Sequence, residues 1–236
     1  LRIRAMPIFA QAALAPILPA FCRRHPNQRV EIQLRIDNGH LLDDGMDVAI
    51  HVGRLQDSSL VATRVSSTRW IICAAPAYLA EHGAPQHPDE LARHTCLNFI
   101  SPISASTWTV RSGQSERPLH VKGRILANQA SMLIEVARAG LGIARLIEVQ
   151  VADDLASGRL VELFPAHQSH VEDPIFAVYQ SRRHLSNRLR AFLEFLRDSF
   201  DDPPPWQYWR DGGGAGAARR GSVEESVRAR LSRGRR

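Results

Sequence analysis

The spacing of apolar residues switches from two to about 3.6 and back within the first fifty positions, which restricts this chain to folds in which strands and helices alternate. Leu1, Ile3 and Ala5 alternate as in a strand, and Leu14, Ile17, Leu18, Phe21 and Cys22 then recur at helical spacing, one stripe facing a sheet. Pro16 and Pro19 resist a regular helix, so they are placed in its first turns, with some distortion expected there. Val30 to Ile36 reads as a second strand, a short helix ending at Gly45 follows, and Met46 to Val52 is a third strand, apolar enough to be buried on both faces. This pattern predicts an α/β lobe with parallel strands.

The pattern restarts after Arg69. Trp70 to Ala75 is a strand, Pro76 opens a short helix closed by Gly83, and Thr95 to Ile100 is another strand. Trp108 to Arg111 and Leu119 to Leu126 flank a turn at Ser112, Gly113 and Gln114, a hairpin-like pair. Asn128 is read as the cap of a helix with inner stripe Leu133, Val136 and Ala137, stopped by Gly140, and Leu141 to Leu146 is the next strand. A short helix ends at Gly158, strands follow at Arg159 to Phe164 and Ile175 to Tyr179, and a last helix capped by Ser186 buries Leu189, Phe192, Leu193, Leu196 and Phe200. The stretch 201–236 is rich in proline, glycine and arginine and is expected to be a disordered basic tail.

Charge does not argue for a nucleic-acid surface on the folded part. Of the formal +6, half belongs to the stretch after Phe200, which holds eight arginines against five acids. Lys122 is the only lysine among 30 basic residues, a bias that follows GC-rich coding more readily than phosphate binding. Cys22, Cys73 and Cys96 are odd in number and far apart in apolar settings, which suits reduced, buried thiols of a cytoplasmic protein. No apolar stretch approaches the roughly 20 residues needed to span a bilayer, so no membrane association is expected.

The ten histidines form no HExxH or paired spacing, so no metal is expected. Gly140 to Gly142 is only a fragment of a dinucleotide fingerprint, and a helix stop before a buried strand explains it. GxSxG and GxxxxGK[ST] do not occur, and no cofactor is expected. With no visible nucleophile and no paired carboxylates, the reading is that this is not an enzyme.

Seven stretches in register resemble the regulatory domain of LysR-type transcriptional regulators: LAPILPAFCRRHP (14–26), DDGMDVAIHVG (43–53), DSSLVATRV (57–65), APAYLAEHG (75–83), HPDELARHTCLNF (87–99), ANQASMLIEVARAGLGIA (127–144) and DLASGRLVELF (154–164). The resemblance covers about residues 1–200. It implies a type II periplasmic-binding-protein fold, two α/β lobes joined by two crossover strands near Trp70 to Cys73 and Val171 to Ile175. Lobe one would hold residues 1–70 and 175–200, and lobe two residues 71–174. It further implies a small-molecule effector held in a cleft, and a homodimer or tetramer through the lobe edges. DNA would be bound only through an N-terminal helix-turn-helix domain that this chain does not include.

Ligands of open α/β lobes lie at the carboxyl ends of strands, where helix starts present unpaired amides. Two turns meet that description: Met6, Pro7, Ile8 and Phe9 after the first strand, and Asn128, Gln129, Ala130 and Ser131 at the second-lobe helix. In the family the two turns face each other across the cleft. Relatives often place serine or threonine at the first turn. Its apolar side chains here point to an effector with a hydrophobic body, while the second turn suits an anionic group. Asn38, after the second strand, and Gly53 with Arg54, after the third, complete the candidates; each also has a plain loop reading. Ser66, Ser67 and Thr68 are read as loop hydroxyls near the crossing. The alternatives left open are a free-standing solute-binding protein and an enzyme of the same fold.

Overall fold

A computed structural model describes residues 1–35, 45–55, 59–100, 106–169, 171–180, 185–200 and 203–212. The described chain divides into two compact units, Leu1–Thr68 with Asp173–Tyr208, and Arg69–Glu172 with the residues from Trp209. The helix expected to end at Gly45 lies largely outside the described residues, as does everything beyond residue 212.

The first unit is built on a five-stranded sheet of β1 (Arg2–Ala5), β2 (Glu31–Leu34), β3 (Val48–Val52), β4 (Val61–Thr68) and β12 (Asp173–Tyr179). Their order is β2-β1-β3-β12-β4. β1 pairs in parallel with β2 and β3, whereas β12 runs antiparallel to β3 and β4. The sheet is therefore mixed where the sequence predicted parallel strands, because β12 re-enters this unit from the opposite direction. β3 is buried from Val48 to His51, as its mostly apolar run requires.

Ser66, Ser67 and Thr68 are not loop residues but the buried end of β4. Alternation there is masked by polar residues on both faces, so the sequence gives little strand signal.

Helix starts already at Pro7. α1 (Pro7–Phe9) runs through a wide π turn, Ala10–Leu14, into α2 (Ala15–Arg24). Pro16 and Pro19 thus sit mid-run rather than in first turns. Neither proline has an amide to donate, and the backbone absorbs the loss by widening: Ala15 N–H donates to Ala10 O, one residue beyond the α pattern. Phe21 packs edge-on against Phe192 (5.3 Å) of α6 (Asn187–Ser199), whose Ser186 caps the start by accepting from Leu189 N–H (3.3 Å). Each fully buried side chain of this kind contributes about 1.5–3 kcal/mol.

The second unit carries β5 (Trp70–Ala74), β6 (Cys96–Phe99), β9 (Leu126–Ala127), β10 (Ile143–Ile147) and β11 (Val161–Glu162), in the order β11-β5-β10-β6-β9. The hairpin of β7 (Thr107–Ser112) and β8 (Ser115–His120) turns at Gly113 and Gln114, Gly113 having φ +63°. Helices α3 (Pro76–His82), α4 (Ala130–Arg138) and α5 (Glu148–Ser157) complete it, and Trp108 and Val110 join Ile72, Leu91 and Ile143 in its core. Gly140 (φ +75°) stops α4, and a Cβ on Gly142 would lie 2.6 Å from Thr95 O, so both glycines have structural reasons.

Two further expectations are corrected. Cys22 is exposed on α2, while Cys73 and Cys96 are buried. Part of the stretch expected to be disordered is folded: Pro205–Gly212 forms a 3-10 helix, and Trp206 is fully buried against Phe9 (6.3 Å) and Phe200 (5.6 Å), donating from Nε1 to Ser67 O (3.1 Å). Composition averaged over 36 residues hid two adjacent functions of tryptophan, bulk and a polar edge.

Candidate functional site

In the first unit the chain leaves β1 toward β2 on one side, and β2 leads to β3 on the other, which makes the carboxyl ends of β1 and β3 a topological switch point. Ala5 and Ile50 are register partners, so the Met6 turn and Gly53 with Arg54 emerge from the same end of the sheet. Met6 is extended (φ −65°, ψ 132°) and precedes Pro7 at the first helical position; its carbonyl accepts from Ala10 N–H at 3.0 Å. Met6, Pro7 and Ile8 are half-buried, but Phe9 is fully buried and turns its ring to Phe200 (5.5 Å). Phe9 is therefore a core residue, reached by the helical turn that follows Pro7.

Gly53 holds φ +100° while its N–H donates to Pro174 O at 2.9 Å, a conformation that L side chains rarely adopt. Arg54 is exposed, and its carbonyl lies 3.1 Å from His51 Nε2, so the buried imidazole fixes the loop that carries the guanidinium. Asn38 lies outside the described residues.

In the second unit β9 ends at Ala127 and α4 begins three residues later, beside the carboxyl end of β6, where Phe99 pairs with Ala127. Asn128 is not the helix cap. Gln129 holds that position in an extended conformation (φ −121°, ψ 129°), with no hydrogen bond from its side chain to the first turn. The first turn contains no acidic residue, and Ser131 is exposed. Its first amides accordingly have no intrahelical acceptor and no side-chain cap, the condition under which a helix start receives an anion. Asn128 is exposed and Ala130 buried.

The far end of α4 is tied down. Arg138 donates from Nε to Asp154 Oδ1 (2.8 Å) and from Nη2 to Oδ2 (2.7 Å), and this buried carboxylate raises the guanidinium pKa above its ordinary value.

Sequence reasoning did not find the aromatic group on the same sheet. Trp70 meets Phe99 edge-on at 6.2 Å, and the Arg145 guanidinium lies 4.6 Å from the Trp70 ring centroid. An apolar surface beside a cation suits an aromatic or aliphatic acid. A tryptophan opening a strand and an arginine inside an apolar strand were the available signals. Among the described residues no group of three or more His, Cys, Asp or Glu side chains is arranged to hold a metal, and no described helix is long and apolar enough to cross a membrane.

Residues 1–201 match the family model of the LysR substrate binding domain. The chain is 36% identical over 192 residues to the HTH-type transcriptional regulator CrgA of Neisseria meningitidis serogroup C, covering 81% of this chain and 64% of that protein. It is 32% identical over 201 residues to the HTH-type transcriptional activator AaeR of Escherichia coli, covering 85% and 64%. The chain thus spans a little under two thirds of these relatives. Among solved structures, the CrgA regulatory domain superposes with a TM-score of 0.78 at 33% identity, covering 84% of this chain and 97% of that one. The full-length Vibrio cholerae virulence activator AphB gives 0.74 at 26%, covering 83% and 67%.

Proposed function

Because this chain belongs to the LysR substrate-binding domain family, and is an effector-binding regulatory domain of the type II periplasmic-binding-protein-like fold, we propose that its effector is a small organic anion with a hydrophobic body. The observation that carries this reading is the uncapped, acid-free start of α4, with the Ser131 hydroxyl exposed on it. Gln129, Ala130 and Ser131 receive the anionic group, with Asn128 beside them. Within the first unit, Met6, Pro7 and Ile8, with Gly53 and Arg54, form a second group of candidate effector-binding residues at the strand ends, and Phe9 supports their turn from the core.

The relatives are transcriptional regulators, which disfavours a free-standing solute-binding protein and does not point to an enzyme. We assign to a longer regulator containing this domain the control of transcription, with DNA contacted by a helix-turn-helix part outside the sequence. The domain pairs with a second copy through surfaces that include exposed Leu34 on β2 and Met132 on α4, 46% and 56% accessible. Sedimentation showing only monomer at tens of micromolar would refute that pairing.

Titration calorimetry with a panel of small aromatic and aliphatic carboxylates tests the effector site. Ser131→Asp sets a like charge against the ligand at the helix start and weakens the best binder about tenfold, whereas Ser131→Ala leaves most of the affinity, since the amides remain. Equal affinity in the aspartate variant would refute this placement.

A further inference from the structure

Glu148 is a buried carboxylate in the second unit, at the centre of an ion-pair cluster that the effector site does not use. It opens α5, where a carboxylate favours the helix start, and its side chain is fully buried. Arg69 reaches it only loosely, Nε to Oε1 at 3.5 Å, while also contacting Glu162 Oε1 from Nη2 at 3.4 Å. Two acids thus share one resident guanidinium. The second cation comes from far along the chain: Arg210 donates from Nε to Oε1 (2.8 Å) and from Nη2 to Oε2 (2.6 Å), and Trp209 Nε1 donates to Oε1 (3.0 Å). The Trp209 ring lies 5.9 Å from the Arg69 guanidinium carbon, so the indole covers the cluster while Arg210 neutralises it.

Arg69, Glu148 and Glu162 all fall inside the stretch that matches the family model, 1–201, and Trp209 and Arg210 fall outside it. The receiving positions therefore lie within the matched domain, and the residues that fill the site lie beyond it. Arg210 keeps 32% of its side chain accessible, so the ion pair opens to solvent on one edge. A fork-to-fork guanidinium–carboxylate contact with an adjoining indole bond is the geometry by which a folded surface recognises an arginine beside an aromatic residue.

We propose that Glu148, with Arg69 and Glu162, is a guanidinium-binding site whose resident ligand is the chain's own Trp209–Arg210 pair, and that a peptide bearing the same pair exchanges with it. The C-terminal segment is then a built-in competitor, and an arginine-bearing partner gains the site by displacing it. Burial pushes the Glu148 carboxyl pKa up, and Arg210, Arg69 and Trp209 pull it back, so the anion on which docking depends is held by its ligands.

The test uses the full chain. Trypsin must take the Arg210 guanidinium into its own pocket, so cleavage at Arg210–Asp211, followed by mass spectrometry, reports undocking. Cleavage rises about ten- to hundredfold in Glu148→Gln and in Trp209→Ala relative to the unsubstituted chain, as expected for losing charge-assisted hydrogen bonds. The Trp209→Ala arm, with its change at a half-buried residue that lies outside the matched domain, stands if Glu148→Gln fails to fold. In a Trp209→Ala/Arg210→Ala chain with an unchanged thermal transition, acetyl-Trp-Arg-amide binds saturably by calorimetry, and the citrulline analogue, which lacks the charge, does not. Equal cleavage rates in all three chains overturn the proposal. So does a folded double variant that ignores the peptide or binds both peptides alike.

Discussion

Arg138 and Asp154 join the last turn of α4 to α5 through two parallel hydrogen bonds, and Arg159 Nε donates to the same carboxylate at 2.8 Å. The Asp154 side chain is 1% exposed, so both guanidiniums are organised around a buried anion. Replacing Asp154 by Ala leaves Arg138 without its buried partner and removes the tie on the helix that presents the anion-receiving amides. The guanidiniums left behind are partly exposed, so we expect a loss of about 1.5–3 kcal/mol in urea unfolding. A loss below 1 kcal/mol would show that α4 is held by its apolar face alone.

Trp206 gives a second expectation. Its indole is fully buried on Phe9 and Phe200, with Nε1 bonded to Ser67 O. Trp206→Ala removes that bulk and leaves a buried carbonyl without its donor, so denaturant unfolding shows a loss of about 3–5 kcal/mol. Trp206→Phe retains ring packing and loses less. Unchanged stability in the alanine variant would mean that the segment contributes nothing to the first unit.

These residues mark how far the sequence carries. Strand and helix alternation, the Ser186 cap, the Gly83 and Gly140 stops and the core face of α6 are legible because each depends on local periodicity or one local hydrogen bond. The antiparallel return of β12 and the docking of Trp206 are not, because they depend on where distant segments meet. At the site, the rule of strand carboxyl ends points to the turns themselves but not to side-chain directions. It groups Phe9 with Met6 to Ile8, although one more helical residue turns Phe9 into the core. Asn128 looks like a cap by residue type, yet the cap position falls one residue later, at Gln129, and a capping preference of about 1 kcal/mol does not outweigh the β9 pairing that fixes Ala127.

Thiol reactivity separates the three cysteines. Cys22 is exposed, whereas burial pushes the Cys73 thiol far above its ordinary range and the Cys96 thiol up to about 12. Only the thiolate attacks a disulfide reagent. Native chain at pH 8 therefore releases one equivalent of chromophore from an aromatic disulfide in minutes, and chain in denaturant releases three. Three rapid equivalents from the native chain would contradict the burial of Cys73 and Cys96.

His94 makes the fold sensitive to acid. Tyr78 Oη accepts from Thr95 N–H at 3.0 Å and lies 3.1 Å from His94 Nδ1, so the phenol proton is free to be donated to an unprotonated Nδ1. His82 stacks on the Tyr78 ring at 4.4 Å, and Glu90 adds a weaker opposing field. Burial first, and the nearby His82 second, lower the His94 pKa below its ordinary value near 6.5. The folded chain thus binds fewer protons at this position than the unfolded chain, and stability rises with pH across the interval between the two values. The contribution is fully present above about pH 6.5 and is lost as pH falls toward the depressed folded value. Urea unfolding of the unsubstituted chain from pH 8 to pH 5 should show this decline, and His94→Gln, which keeps an acceptor for the phenol but does not titrate, should reduce its slope through that interval. An identical pH dependence in both chains would show that His94 does not titrate differently in the folded and unfolded states.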